Sequence, residues 1–320
     1  MLVLLTGGKG FIGSRLLARL CEAGHQVRVV TRSAFKSELD NVEVVIADLT
    51  SDDVDYAALL SGCDVVFNCA GEIRDEKLMQ ALHVDATERM VSAANRLATS
   101  ERPIHFVQLS SVGAYGPAKG AVRTVDELTP ANPKGPYEET KTIADALVVK
   151  SRGNDYYSYA ILRPSNVFGK TMPNNSLRQL GRFVSSGRFF YVGNSRTAAV
   201  ATYVHVDDVV SALMLCGFDS RSRNEIFNIS NDCAFADLIN GMADAQHVKR
   251  PTLSIPETPF RWIVGAANRF FRLPVTQERI DALVAKTTYP YTKIQNTLGF
   301  KPEKEVPLVI SELFEEPRVS

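Results

Sequence analysis

The segment "TGGKGFIG", Thr6 to Gly13, follows the apolar run "LVLL" and leads into "SRLLARLCEAG", and no other stretch restricts the fold as much. Gly8, Gly10 and Gly13 fit a G-x-G-x-x-G spacing, and Gly7, Gly10 and Gly13 fit G-x-x-G-x-x-G. Glycines this dense between a strand and a helix let the backbone turn sharply and bring its N–H groups, with the positive helix end, against a diphosphate. A tight turn serving structure alone is the competing reading, and the strand, turn and helix context speaks against it. Gly7, Gly10, Phe11, Ile12 and Gly13 are therefore candidate contacts to a dinucleotide.

A turn of this kind opens a doubly wound fold only if further short apolar runs alternate with helical patterns. "QVRVVT", "VEVVIAD", "DVVFNCAG", "IHFVQLSS", "YAILRPSNVFG" and "EIFNIS" supply the runs, and several of the gaps between runs, beginning with the one that ends at Gly24, show helical periodicity. The expected class is α/β, a Rossmann-type doubly wound parallel sheet with a smaller C-terminal substrate-binding lobe over its carboxyl edge. The alternation lapses after Gly169, returns near residue 200, and gives way from about Asn231 to Pro-rich and short helical stretches. This predicts a dinucleotide-binding domain from residues 1–169 with 200–232 and a lobe from 170–199 with 233–320.

In such a domain an acid about 20 residues beyond the glycines usually holds a ribose 2′-hydroxyl. This chain carries Thr31, Arg32 and Ser33 there. A guanidinium suits a 2′-phosphate, so NADP is expected over NAD; an Arg stacked on adenine would permit both. Asp48 and Leu49, and Ala70 and Gly71 of "NCAG", end strands at the same carboxyl edge and join the candidate cofactor contacts, with turn formation as the alternative.

Thirty-six basic residues against 36 acidic ones give no field that would draw in nucleic acid or an anionic membrane. The cysteines are scattered, without Cys-x-x-Cys or a His at ligand spacing, so no metal is expected. "MLVLLTGG" is too short for a signal sequence core and lacks a basic lead, which gives the expectation of a cytoplasmic protein. "FRWIVGAANRFFRLP", Phe260 to Pro274, is broken by Arg261, Asn268, Arg269 and Arg272 and reads as a packed helix, the alternative being a surface-binding amphipathic segment.

A Tyr-x-x-x-Lys spacing occurs at Tyr115, Tyr137 and Tyr289. Gly116 and Pro117 follow the first and Pro290 follows the third, so neither of those runs is an uninterrupted helix. Pro136, Glu138 and Glu139 suit a first helical turn, which would stack Tyr137 and Lys141 on one face.

With "TGGKGFIG", "AD" before Leu49, "NCAG", "LSSVGAYG", "YEETK", "RPSNVFG" and "VHVDD" in this order, the chain resembles the extended short-chain dehydrogenase/reductase family, and within it the nucleotide-sugar epimerases, dehydratases and 4-keto reductases. The resemblance runs from Met1 to "LGFKP" at Leu298 to Pro302. It implies a catalytic set of Ser111, Tyr137 and Lys141, cofactor contacts that include Tyr137, Lys141 and Pro164, and substrate contacts at Ser111, Asn166 and Asn175. It also implies a nucleotide-activated sugar as substrate, a place in surface polysaccharide synthesis, and a homodimer formed through "EKLMQALHVDATERMVSAANRLA" and "YEETKTIADALVVKS".

The chain departs from the family pattern at several points. His83 of "HVDAT" replaces an Asn that helps order the active site, and Ala201 of "AVATYVHVDD" stands where many relatives place a phosphate-gripping Arg, a role Arg188 or Arg196 could take over. His83 and His205 are expected to serve structure, and Asp207 and Asp208 to cap a helix. For chemistry, Tyr137 must give up its proton to act as a base, so its pKa of about 10 is expected to fall under the nearby charge of Lys141 together with that of the positive nicotinamide ring. Ser111 would hold the reacting oxygen. Epimerisation and reduction stay open, as do a steroid-like or small alcohol substrate and a non-catalytic NADP-sensing role.

Overall fold

Runs of Val, Leu and Ile with no polar face cannot border water and must lie between two layers of helix. The structure, a computed structural model that describes residues 1–35, 39–117, 122–267 and 277–315, places them there. Strands β1 (Leu2–Thr6), β2 (Gln26–Thr31), β3 (Val42–Ile46), β4 (Val65–Asn68), β5 (Ile104–Leu109), β6 (Tyr157–Pro164) and β7 (Glu225–Ile229) form one sheet. Every pairing is parallel, and the order is β7-β6-β5-β4-β1-β2-β3. The direction of winding reverses between β1 and β4, so the loops leaving these two strands part and open a crevice at the carboxyl edge.

The helices that cover the sheet are α1 (Phe11–Glu22), α2 (Ala86–Leu97), α3 (Pro136–Lys150) and α4 (Val206–Phe218). Leu5, Leu16, Leu20, Phe67, Leu213 and Phe227 meet on one face of the sheet. Leu4, Val66, Met90, Val91, Phe106 and Ile161 meet on the other. Neighbours such as Leu4 and Leu5 belong to opposite layers because successive strand residues point to opposite faces. Gly24, at φ 79°, closes α1 by donating its N–H to the Cys21 carbonyl.

"YAILRPSNVFG" does not continue as one strand. Pro164 lacks the N–H that a central strand needs, so β6 ends there, and Asn166–Phe168 pairs instead with Tyr203–His205. That pair leads into a second core of Phe168, Leu177, Tyr191, Leu238, Met242 and Ile310. Around it pack α5 (Phe235–Ala245) and short segments of the C-terminal third, whereas α6 (Glu257–Ala267) packs in a smaller cluster, Val264 with Val192 and Ile280, and leaves Trp262 and Ile263 exposed. The remainder of the amphipathic segment, from residue 268, lies outside the described residues. No helix among the described residues is long and apolar enough to cross a membrane.

The expected capping by Asp207 and Asp208 is replaced by a different arrangement. His205 Nδ1 accepts the Asp207 N–H and begins α4, while its Nε2 lies 2.8 Å from Glu312 Oε1. Asp207 pairs with Arg15 of α1 at 2.7 Å, and Asp208 accepts the Glu303 and Lys304 backbone N–H groups. The carboxylates hold two other parts of the chain because His205 already occupies the cap. The apolar stripe of α2 faces the core, whereas α3 leaves Ile143 and Val149 exposed.

Candidate functional site

The glycine turn is tight enough to exclude side chains. A Cβ on Gly7, whose φ is 71°, would come within 2.7 Å of the Cys69 carbonyl, and one on Gly13 would lie 2.1 Å from the Gly7 oxygen. The Gly10 N–H donates to Gly7 O at 2.8 Å, and no side chain caps α1. Next to this turn lies a cavity of about 340 Å³ at the point where β1 and β4 diverge. Its wall includes Gly7, Gly10, Arg32, Asp48 and Leu49, and also Ala70 and Gly71. A cradle that a Cβ would fill, beneath an uncapped helix start, fits the diphosphate of a dinucleotide.

Other sequence candidates fall elsewhere. Ile12 packs on the sheet core and Phe11 on the lobe core, where its ring lies 3.3 Å from a Cβ placed on Gly169. Pro164 is buried at the end of β6, outside the cavity wall. The cavity wall also holds residues that were not candidate contacts from sequence, among them Lys9, Ser33 and Glu72. Lys9 Nζ donates to Ser33 Oγ at 2.8 Å beside Arg32, and a cation inside a glycine turn was the signal that could have found it. Asp48 is held below the usual carboxylate range, chiefly by the Thr50 N–H and hydroxyl, with Arg32 adding a smaller pull.

The "NCAG" corner rests on a buried polar network. Asn68 accepts from Thr6 Oγ1 at 2.8 Å and donates to Thr87 Oγ1 and Gln108 Oε1, and Thr6 Oγ1 in turn accepts the Ala70 N–H. Every polar atom of the Asn68 amide is used, which makes the network rigid.

Pro136 starts α3 after Gly135 at φ 104°, with Glu138 and Glu139 in the first turn. Lys141 is buried, and its Nζ donates to the Leu109 carbonyl at 2.9 Å, where β5 ends ahead of Ser110 and Ser111. Ser111 Oγ accepts the Gly113 N–H. A Cβ on Gly113 would meet both Ser111 Oγ, at 3.3 Å, and Glu138 Cγ, at 2.7 Å, so Gly113 lies between Ser111 and the first turn of α3. A Cβ on Gly71 would lie 3.8 Å from Lys141 Nζ. Lys141 thus reaches the Gly71 wall of the cavity, Tyr137 stands one turn earlier on α3 against His83, and Ser111 follows two residues after the Leu109 carbonyl that Lys141 holds. Of the other Tyr-x-x-x-Lys matches, Lys293 pairs with Glu225 at 2.7 Å, Tyr115 lies in a short 3₁₀ turn, and Lys119 is outside the described residues.

The electrostatics correct one expectation. Burial pushes Tyr137 up to about 12, with Glu138 and Asp145 adding to the rise. The phenol is drawn out of water beside two carboxylates, while burial pushes Lys141 down, opposed by Asp145. One turn beyond Lys141, Asp145 Oδ2 accepts from Arg163 Nε at 2.9 Å and Ser110 Oγ at 2.8 Å. Arg163 reaches on to the Tyr115 hydroxyl at 3.0 Å, which donates to Asn228 Oδ1. Burial pushes the Asp145 carboxyl up, and Arg163 and Ser110 pull it back. His83 is buried against Tyr137.

The substrate-side candidates lie apart from this cluster's buried floor. Asn166 is exposed and donates from Nδ2 to the Thr202 carbonyl; Asn175 is exposed at the start of Ser176–Ser185, where its side chain makes no capping bond. Ala201 is buried in the lobe core, and Arg196 donates to the Thr252 carbonyl.

Known proteins share this design. The family model for the NAD dependent epimerase/dehydratase family matches residues 3–230. A 3 beta-hydroxysteroid dehydrogenase/Delta 5-->4-isomerase of Mycobacterium tuberculosis (strain ATCC 25618 / H37Rv) is 26% identical, with 94% of this chain and 86% of that protein covered. A dTDP-6-deoxy-L-talose 4-dehydrogenase (NAD(P)(+)) of Kitasatospora kifunensis is 31% identical over 72% of this chain and 74% of its own. The structure of MoeE5 in complex with UDP-glucose and NAD has the same fold, with a TM-score of 0.72 over 97% of this chain and 96% of that one at 23% identity. On the strength of the family match, the chain belongs to the NAD dependent epimerase/dehydratase family and is an NAD(P)-dependent enzyme of the extended short-chain dehydrogenase/reductase group.

Proposed function

We propose that the protein is a 4-keto reductase or epimerase of a nucleotide-activated sugar, with Tyr137 exchanging a proton with the substrate oxygen, Ser111 holding that oxygen and Lys141 anchoring the set. The observation that supports this most is the place of Lys141, one helical turn after Tyr137, with Nζ 3.8 Å from a Cβ set on the cavity-wall Gly71 and bonded to the carbonyl at the end of β5 that precedes Ser110 and Ser111. Gly7, Gly10, Gly71 and Asp48 would hold the dinucleotide, which supplies hydride transfer when bound. With its pKa raised to about 12, Tyr137 carries its proton at neutral pH and is an acid poised for a substrate carbonyl. The Lys141 ammonium, buried and bonded to the Leu109 carbonyl, fixes the position of α3 against β5.

Lys9, Arg32 and Ser33 support NADP over NAD, since two cations and a hydroxyl along one rim suit a 2′-phosphate. Asn166, exposed at the edge of the lobe, suits a polar substrate. The exposed Ile143 and Val149 of α3 suit a homodimer through that helix. A steroid-like alcohol is the second reading: Ala201 is buried where a phosphate-gripping Arg would stand, and the mycobacterial relative named above is a hydroxysteroid dehydrogenase.

Nicotinamide absorbance decides between these readings. NADPH consumed in step with a dTDP- or UDP-linked 4-keto sugar supports reduction, and sugar interconversion without net absorbance change supports epimerisation. Turnover of a 3-hydroxysteroid alone, with none of the sugar nucleotides, would refute the nucleotide-sugar reading.

A further inference from the structure

His83 sits in a π-helical turn, Gln80–Asp85, inserted directly before α2. Such turns are rare and recur where a helix must re-aim one side chain. Here the turn buries the imidazole, 1% exposed, between the cavity wall and the first turn of α3. His83 Nε2 accepts the Glu72 N–H at 2.9 Å. A nitrogen that accepts carries no proton, so Nδ1 bears it and donates to Thr140 Oγ1 at 2.9 Å. Thr140 Oγ1 passes its own hydrogen to the Pro136 carbonyl at 2.7 Å, with the Tyr137 carbonyl 3.1 Å away. The imidazole also stands edge-on to the Tyr137 ring, with centroids 5.6 Å apart and planes at 84°.

We propose that His83 is a positioning residue that couples occupation of the dinucleotide cavity at Gly71 and Glu72 to the placement of Tyr137. A Cβ on Gly71 would lie 3.6 Å from His83 Nε2, so a shift of that corner on cofactor binding is felt directly by the ring. The ring passes it to Thr140, which braces the Pro136 and Tyr137 carbonyls, and to the phenol itself. Burial, with the Lys141 charge beside it, pushes His83 down to about 3, so the ring stays neutral and its donor and acceptor sides keep their sense. A histidine that merely filled space would leave cofactor affinity indifferent to Thr140, which is not part of the cavity wall. The inference rests on the cofactor reading above.

The test is a set of NADPH dissociation constants, with NADH in parallel, for the full-length wild type, His83→Ala, Thr140→Val, the double variant and His83→Gln. Loss of one net hydrogen bond predicts that Thr140→Val weakens NADPH binding about threefold to tenfold. The double variant should bind no more weakly than His83→Ala, because coupling through one ring is lost only once. Gln can accept at its carbonyl and donate from its amide, so His83→Gln should recover affinity relative to His83→Ala. Unchanged NADPH binding in Thr140→Val, or losses that multiply in the double variant, would overturn the coupling while leaving the cofactor reading intact. A wild type that binds neither NADPH nor NADH would overturn both. Thr140→Val and His83→Gln keep the test decisive if His83→Ala does not fold.

Discussion

Asp145→Asn removes one charge from a buried group while keeping its shape. Side chains of Arg163 and Asp145 are only 9% and 3% exposed, and the guanidinium stands 2.9 Å from the carboxylate. At that separation an effective dielectric of about 20 gives an attraction near ~6 kcal/mol, most of which offsets the cost of taking both charges out of water. Asn still accepts from Ser110 or Arg163, but it leaves the guanidinium, and Lys141 one turn away, without their shared anion. Breaking a buried pair from one side costs about 3–5 kcal/mol, and the retained hydrogen bond places this case near ~3. Urea unfolding followed by far-ultraviolet circular dichroism should show an earlier midpoint with an unchanged slope. Replacing both partners, Asp145→Leu with Arg163→Met, should recover most of the loss, to within about 1 kcal/mol of wild type. Less than about 1 kcal/mol lost in Asp145→Asn would refute the picture of a buried, mutually dependent pair.

Three further outcomes follow from the site. Tyr137→Phe should lower turnover by at least ~100-fold, the usual worth of a positioned proton donor, with NADPH affinity changed less than about threefold; unchanged turnover removes the residue from the chemistry. Gly13→Ala should abolish NADPH binding, because the added Cβ would meet the Gly7 oxygen at 2.1 Å, and retention of wild-type affinity in a fluorescence titration would contradict the tight cradle. His83, held at about 3, takes up no proton in the folded state between about pH 6.5 and 3, whereas the unfolded chain does. Stability therefore falls as pH drops through that window, by an amount on the order of 5 kcal/mol over its full width, and unfolding midpoints of His83→Gln should show a shallower fall.

Much of the fold was legible because a parallel sheet buried on both faces leaves uninterrupted Val, Leu and Ile runs, and because glycines that admit no Cβ are visible as letters. Tyr137 could be chosen over Tyr115 and Tyr289 from the prolines and glycines around each. The rest depended on long-range geometry. Nothing near Asp145 in the chain announces Arg163, and nothing near His83 announces Thr140, since these partners meet only when α3 packs beside the carboxyl ends of β5 and β6. The contribution of the protein's own groups to the Tyr137 pKa was hidden for a related reason: spacing along a helix reports which groups are neighbours, whereas burial and the Glu138 and Asp145 carboxylates push it up. The break at Pro164 was written in the sequence as a missing N–H.

The position of β7 has a consequence for synthesis on the ribosome. β6 is flanked by β5 on one side and by β7 on the other, and β7 lies roughly 60 residues later in the chain. At ordinary translation rates that interval lasts about 3–12 s, during which β6, with Ala160, Ile161 and Leu162 at its centre, presents one row of unpaired N–H and C=O groups. The intervening segment includes Phe168, Leu177, Val184 and Tyr191, whose lobe partners Leu238 and Met242 emerge later still. Nascent chains arrested between residues 170 and 224 should therefore be the species that engage holdase chaperones, and release should coincide with emergence of Glu225–Ile229.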